Sequence, residues 1–175
     1  MRTSAHFIHV VFALVLISCT NTAPTQPTPT SIIATLTPTH DVSADIAAEI
    51  RAYQTRWRDT NIRHYRYQLT VSCFCPMNAV MPITIEVNND VVTSITDARG
   101  VPVSPDDAGS GFFLKYTTIS RIYAELTSSW FSTADKLSVT YDSTYPVPAT
   151  ISADFIAMAV DDELYVGVSG FTPRE

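Results

Sequence analysis

From Tyr65 onward the apolar residues of this chain fall on every second position: Tyr65, Tyr67, Leu69, Val71, Cys73 and Cys75. Between them stand Arg66, Gln68, Thr70, Ser72 and Phe74. Period two sends the two sets to opposite faces of a strand, whereas a helix scatters the same residues around its axis. The stretch predicts a half-buried strand, and Pro76, which has no N–H to give, ends or bends it. A second alternation follows in Ile83, Ile85 and Val87, and Asn88-Asn89-Asp90 tolerates the left-handed backbone of a hairpin turn. A three-residue loop pairs Val87 with Val91, Ile85 with Thr93 and Ile83 with Ile95, which keeps the apolar residues on one face.

Helices flank this hairpin in sequence. Asp41 or Ser43 can cap a helix whose apolar residues are Ile46, Ile50, Tyr53 and Trp57, spaced four, three and four apart. Asp45 and Glu49 sit early in it and Arg51, Arg56 and Arg58 late, which complements the helix dipole. Trp57 and Tyr53 are expected in the core. Asp97 to Tyr116, rich in Gly, Pro, Ser and Asp, reads as a long loop pinned by Phe112 and Phe113, with Gly109 and Gly111 as the alternative hinges of a flap. Thr117 or Thr118 caps a second helix carrying Ile119, Ile122, Tyr123 and Leu126, expected to run to about Trp130. Three strands follow, with Leu137, Val139 and Tyr141 on one, then Ala149, Ile151 and Ala153. The last has Leu164, Val166 and Val168 on one face, with Tyr165 and Phe171 on the other. The fold class is therefore α+β: two helices packed on an antiparallel sheet of about five to six strands, in the order helix, three strands, helix, three strands.

The first forty residues are of another kind. Arg2 followed by the apolar run Phe7 to Ile17 reads as an export signal, and that run is shorter than the roughly 20 residues a spanning helix needs. Leu16-Ile17-Ser18-Cys19 resembles the bacterial lipobox, which implies cleavage after residue 18 and a lipid, with palmitate among its acyl groups, on Cys19. The anchor accounts for the odd one of three cysteines. From Thr20 to His40 the chain is Thr- and Pro-rich, with no acid, Lys or Arg. It lacks the apolar periodicity that would offset ordering entropy and reads as a disordered stalk. The expected organisation is 1–18 signal peptide, 19–40 lipidated cysteine and stalk, and 41–175 a single domain. That places the domain at the cell envelope, on the extracytoplasmic side, with the membrane as a partner through the lipid.

A formal net charge of −6 argues against nucleic-acid binding, which depends on neutralising phosphates. The cluster Arg51, Arg56, Arg58, Arg63 and Arg66 reads as a helix end and the solvated face of a strand, or else as a docking patch for an anionic partner.

Several of these residues occur in a recognisable order. Tyr65-Arg66-Tyr67, Cys73-Phe74-Cys75, the Val87–Val91 hairpin, Thr118-Ile119, Tyr141-Asp142 with Tyr145-Pro146, and Asp161-Asp162-Glu163 together resemble an uncharacterised family of bacterial secreted and lipoprotein domains, domain of unknown function 6174. The resemblance covers about residues 45–173. Thr144 and Asn89 depart from it, since glycine is expected at both turns. It implies a fold and a location, and it carries no activity or catalytic residue.

The residues themselves offer little chemistry. No G-x-S-x-G, H-E-x-x-H, P-loop or dinucleotide fingerprint is present. Beyond the signal only His40 and His64 remain. Asp142, Asp154, Asp161, Asp162 and Glu163 have carboxylates suited to calcium but no EF-hand spacing. Cys73 and Cys75 are the pair with chemical potential. In an oxidising compartment they invite a disulfide, which needs a bulge or turn at Phe74 because residues two apart in a regular strand are too widely separated. Buried free thiols, or a soft Cu(I) site of Cys73, Cys75, Met77 and Met81, are the alternatives. The sequence thus points to a lipid-anchored, non-catalytic binding or interaction domain for an envelope protein or small ligand, without a cofactor. A thiol redox or Cu(I)-handling protein is the competing reading.

Overall fold

A computed structural model describes residues 44–74, 80–107, 110–159 and 161–174. The segments expected to be a signal sequence and a stalk, with Cys19, Asp41 and Ser43, lie outside the described residues, as do Cys75, Pro76, Met77 and Gly109.

The first helix, α1 (Ala44–Thr60), buries Ile50 and Trp57 and half-buries Ile46 and Tyr53, the four residues its spacing singles out. Thr60 closes it, donating its hydroxyl to the Trp57 carbonyl and accepting the Ile62 amide. Asn61 then turns the chain through a left-handed φ of 54° into the sheet. Strands β1 (His64–Ser72), β2 (Ile83–Asn88) and β3 (Val91–Thr96) precede two helices, α2 (Gly111–Leu114) and α3 (Ile119–Leu126). Strands β4 (Lys136–Tyr141), β5 (Pro148–Asp154) and β6 (Leu164–Pro173) complete the domain. All neighbours are antiparallel, in the spatial order β3-β2-β1-β6-β5-β4. The α+β class and the order of elements are as the sequence pattern predicts, with the short α2 as an addition.

One face of the sheet is buried. Tyr65, Tyr67, Leu69 and Val71 of β1 meet Ile83, Ile85 and Val87 of β2 and Leu164, Val166 and Val168 of β6 in one core with Ile50, Trp57, Ile119, Ile122 and Tyr123. The opposite face carries Arg66, Gln68, Thr70, Ser72, Ser152, Tyr165 and Ser169 and stays open. Three tyrosine hydroxyls tie the layers together. Tyr67 donates to the Tyr116 carbonyl at 2.6 Å, Tyr123 donates to the Pro146 carbonyl at 2.8 Å, and Tyr65 accepts the Ile119 amide at 3.1 Å. Each satisfies a polar group that burial would otherwise leave stranded.

Three sequence expectations are corrected. The β2–β3 connection is a two-residue turn, not a three-residue loop: Asn89 and Asp90 both take positive φ, 51° and 62°. Such a turn follows the strand twist, and a bulge beyond Val87↔Val92 restores the facing, so that Ile85 pairs with Ile95. In β6, Phe171 lies on the core side rather than with Tyr165. Gly170, at φ 59°, inserts an extra residue opposite Arg66–Gln68 and turns the phase. Phe171 then meets Trp57, Tyr65 and Tyr145 at ring distances of 5.8, 5.4 and 5.1 Å. Helix α3 stops at Leu126, short of Trp130; a single 3₁₀ turn, Phe131–Thr133, follows. The loop expected from Asp97 is present and opens on a tight turn. Asp97 accepts the Arg99 and Val101 amides and the Arg99 guanidinium, closing a tight turn, and the Val101 amide and then the Arg99 side chain hold its carboxyl below the usual range. Gly111 opens α2 rather than serving as a hinge, and of the two phenylalanines only Phe113 is buried.

The five arginines Arg51, Arg56, Arg58, Arg63 and Arg66 are all exposed. Arg66 is on the open sheet face, three of the others are on α1, and Arg63 stands just before β1.

Candidate functional site

Strand β1 outruns β2 and stays paired with β6 to its last residue. Its pairing with β2 ends at Leu69↔Ile83 and with β6 at Ser72↔Tyr165, so the strand ends at Ser72 and the chain leaves the sheet at Cys73, where the alternation predicted that it would go on. Cys73 is half-buried against the core, whereas Phe74 is 85% exposed. Beside this exit lies a cleft of about 580 Å³. Val71 and Leu164 line it from the sheet, Cys73 and Phe74 from the strand exit, and Gly111, Phe112, Lys115 and Tyr116 from α2 and the turn after it. Trp130 and Phe155 form a further wall, and Asp161, Asp162 and Glu163 complete the lining.

The local sequence explains why aromatic rings face solvent here. In Phe112-Phe113, burial of Phe113 beneath α2 turns its neighbour outward, leaving Phe112 49% exposed. In Trp130-Phe131, Phe131 is buried at the 3₁₀ turn and Trp130 is 43% exposed. Trp130 stacks on Phe155, with ring centroids 4.4 Å apart and planes at 17°. Phe155 is placed by Asp162, whose carboxylate accepts the Phe155 amide at 3.0 Å and also the Ile156 amide. The same loop exposes Ile156 and Met158. A cluster of this kind at a concave surface marks a contact site more often than scattered apolar residues do.

Charge in the cleft is uneven. Lys115 holds its ammonium 5.1 Å from the Trp130 ring centroid and 3.7 Å from the Glu125 carboxylate. Asp161 and Glu163 are exposed beside the half-buried Asp162. The hydroxyl of Tyr116, whose ring lines the cleft, is pushed above its ordinary value of 10.0 by burial and then by the charge of Glu125. It stays protonated at neutral pH.

A family model described as a family of unknown function, DUF6174, matches residues 49–173. The chain belongs to DUF6174. No curated protein and no solved structure matches it.

Two elements of the resemblance behave differently in this member of DUF6174. Tyr141-Asp142 and Tyr145-Pro146 build the β4–β5 turn: Asp142 accepts the Thr144 and Tyr145 amides at 2.8 and 2.9 Å, and Pro146 offers its carbonyl to Tyr123. Thr144 serves this turn without glycine. Cys73-Phe74, by contrast, lines the cleft and gives Phe74 no place in the core.

Of the sequence-predicted site residues, Cys73 is on the cleft and Met81 is half-buried against the core. Cys19, Cys75 and Met77 lie outside the described residues, and with them the expected disulfide and the soft-metal set. The carboxylates disperse: Asp142 caps its turn, Asp154 stands 3.7 Å from Lys136, and Asp161 to Glu163 line the cleft. Among the described residues no group of three or more His, Cys, Asp or Glu could hold a metal, and no helix is long and apolar enough to cross a membrane. Sequence reasoning missed Phe112, Trp130 and Phe155 as a unit. The signal was in the adjacent pairs Phe112-Phe113 and Trp130-Phe131, where packing one ring inward presents the other.

Proposed function

We propose that this DUF6174 member is a lipid-anchored envelope protein whose domain binds, without catalysis, a ligand with an apolar or aromatic body in the cleft beside Cys73. The observation that carries the reading is the exposed aromatic lining of Phe74, Phe112 and Trp130 around about 580 Å³. That volume lies in the range of roughly 300–1,000 Å³ usual for small-molecule sites. The lipobox at Cys19 and the Thr/Pro-rich segment support the tether. In the same reading Cys73 and Cys75 form a disulfide that fixes the strand exit, supported by the oxidising conditions an exported domain meets. The competing reading, thiol redox or Cu(I) handling, draws on the position of Cys73 on the cleft wall.

The purified protein is titrated with the neutral dye N-phenyl-1-naphthylamine. Saturable binding that Phe112→Ala and Trp130→Ala each weaken supports the cleft; absence of saturable binding contradicts it. Stoichiometric, tight Cu(I) uptake by the protein moves the competing reading ahead. Cys19→Ser is expected to shift the protein from the membrane to the soluble fraction, and an unchanged membrane fraction removes the anchor from the account.

A further inference from the structure

Resting on the cleft reading, we propose that the ligand is an organic cation: an apolar or aromatic body bearing an ammonium or quaternary ammonium group. The aromatic faces of the cleft suit such a group, because the ring quadrupole attracts a cation and Trp does so most strongly. Trp130 already holds one, the Lys115 ammonium at 5.1 Å. The remaining charge has the complementary sign. Asp161, Asp162 and Glu163 line the same cleft, and Lys115 is the only cationic side chain among its described lining residues. An anion would have to use Lys115, yet its charge is engaged by Glu125 at 3.7 Å and outnumbered by three carboxylates. The chain as a whole carries −6, which favours the approach of cations and opposes that of anions.

The acids divide by role. Asp162 spends one carboxylate oxygen on the Phe155 and Ile156 amides and so shapes the wall. Asp161 and Glu163 are exposed and make no hydrogen bond to the wall among the described residues, so they supply the field for the incoming charge. Lys115 is its competitor: the ligand cation takes over the Trp130 face or shares the rim with it.

Three probes with one phenyl ring and different charge test this on the full chain by calorimetry: benzyltrimethylammonium, benzyl alcohol and benzenesulfonate. Benzyltrimethylammonium is expected to bind about tenfold tighter than the other two, the scale of a partly desolvated cation–π contact. The double change Asp161→Asn with Glu163→Gln should weaken benzyltrimethylammonium and leave benzyl alcohol unchanged, and Lys115→Met should tighten the cation. Equal affinity for all three probes, each weakened by Phe112→Ala, overturns the cationic ligand and leaves the cleft standing. Tighter binding of benzenesulfonate overturns it too. Binding of none of the probes, or binding indifferent to both Phe112→Ala and Trp130→Ala, overturns the cleft reading and this inference with it.

Discussion

Tyr67 and Tyr141 carry the same hydroxyl into different surroundings. Tyr67 donates to the Tyr116 carbonyl at 2.6 Å, whereas the buried Tyr141 hydroxyl has no hydrogen-bond partner among the described residues. Tyr67→Phe strands a buried acceptor and should cost about 1–3 kcal/mol, while Tyr141→Phe keeps the ring on Tyr53 and should be neutral or slightly stabilising. Urea midpoints of the two variants decide it, and equal losses would refute the distinction. Burial raises the hydroxyls of Tyr65, Tyr67, Tyr116, Tyr123 and Tyr141 above their ordinary value of 10.0. Above that pH the unfolded chain loses these protons first and binds fewer than the native state, so stability falls as pH rises. The protein should hold its stability below about pH 10 and lose it steeply beyond, as thermal melts across pH 8–12 would show. That Tyr65 and Tyr67 face inward was legible from period two alone. Their distant partners, Ile119 and Tyr116, were not, because a hydroxyl leaves no periodic trace of the backbone group it meets.

At the scale of elements, the alternation in β1 and the four-three-four spacing of α1 specified strand, helix and buried face. Register was less visible. It depends on single inserted residues, and a bulge moves every later side chain to the other face without altering composition. Gly170 is where that happens in β6. Its φ of 59° suits glycine, and an added Cβ would meet nothing within 4 Å, so Gly170→Ala tests backbone conformation alone. A loss of about 1–2 kcal/mol is expected. A melting temperature unchanged from wild type would mean that the bulge does not hold Phe171 in the core. The loop from Asp97 was legible as a loop, but its closure was not. Its Gly, Pro and Asp content suits tight turns of many kinds, and the first of them rests on Asp97, whose four accepted hydrogen bonds are local and specific.

For the whole molecule, α1 is part of the core rather than an extension of the stalk. A chain beginning at Asn61 would lose Ile50 and Trp57, both buried, and the partly buried Ile46 and Tyr53. Full burial of such side chains contributes on the order of 1.5–3 kcal/mol each, so this chain should not fold, whereas one beginning at Asp41 should unfold cooperatively. Equal denaturation midpoints would place the helix outside the core. The cleft was the least legible feature, since it joins residues from four distant segments, 71–74, 111–116, 130 and 155–164. Only the topology, with β1 beside β6 at the sheet centre, brings the two outer segments together. Covalent mapping tests the central claim most directly. The protein is irradiated with the neutral carbene precursor 3-phenyl-3-(trifluoromethyl)diazirine, and the adducts are located by tandem mass spectrometry. Adducts are expected to concentrate on Phe74, Phe112, Trp130 and Phe155 and to be suppressed by excess benzyltrimethylammonium. Adducts spread over the surface in proportion to exposure, or gathered on the open sheet face around Tyr165, would contradict it.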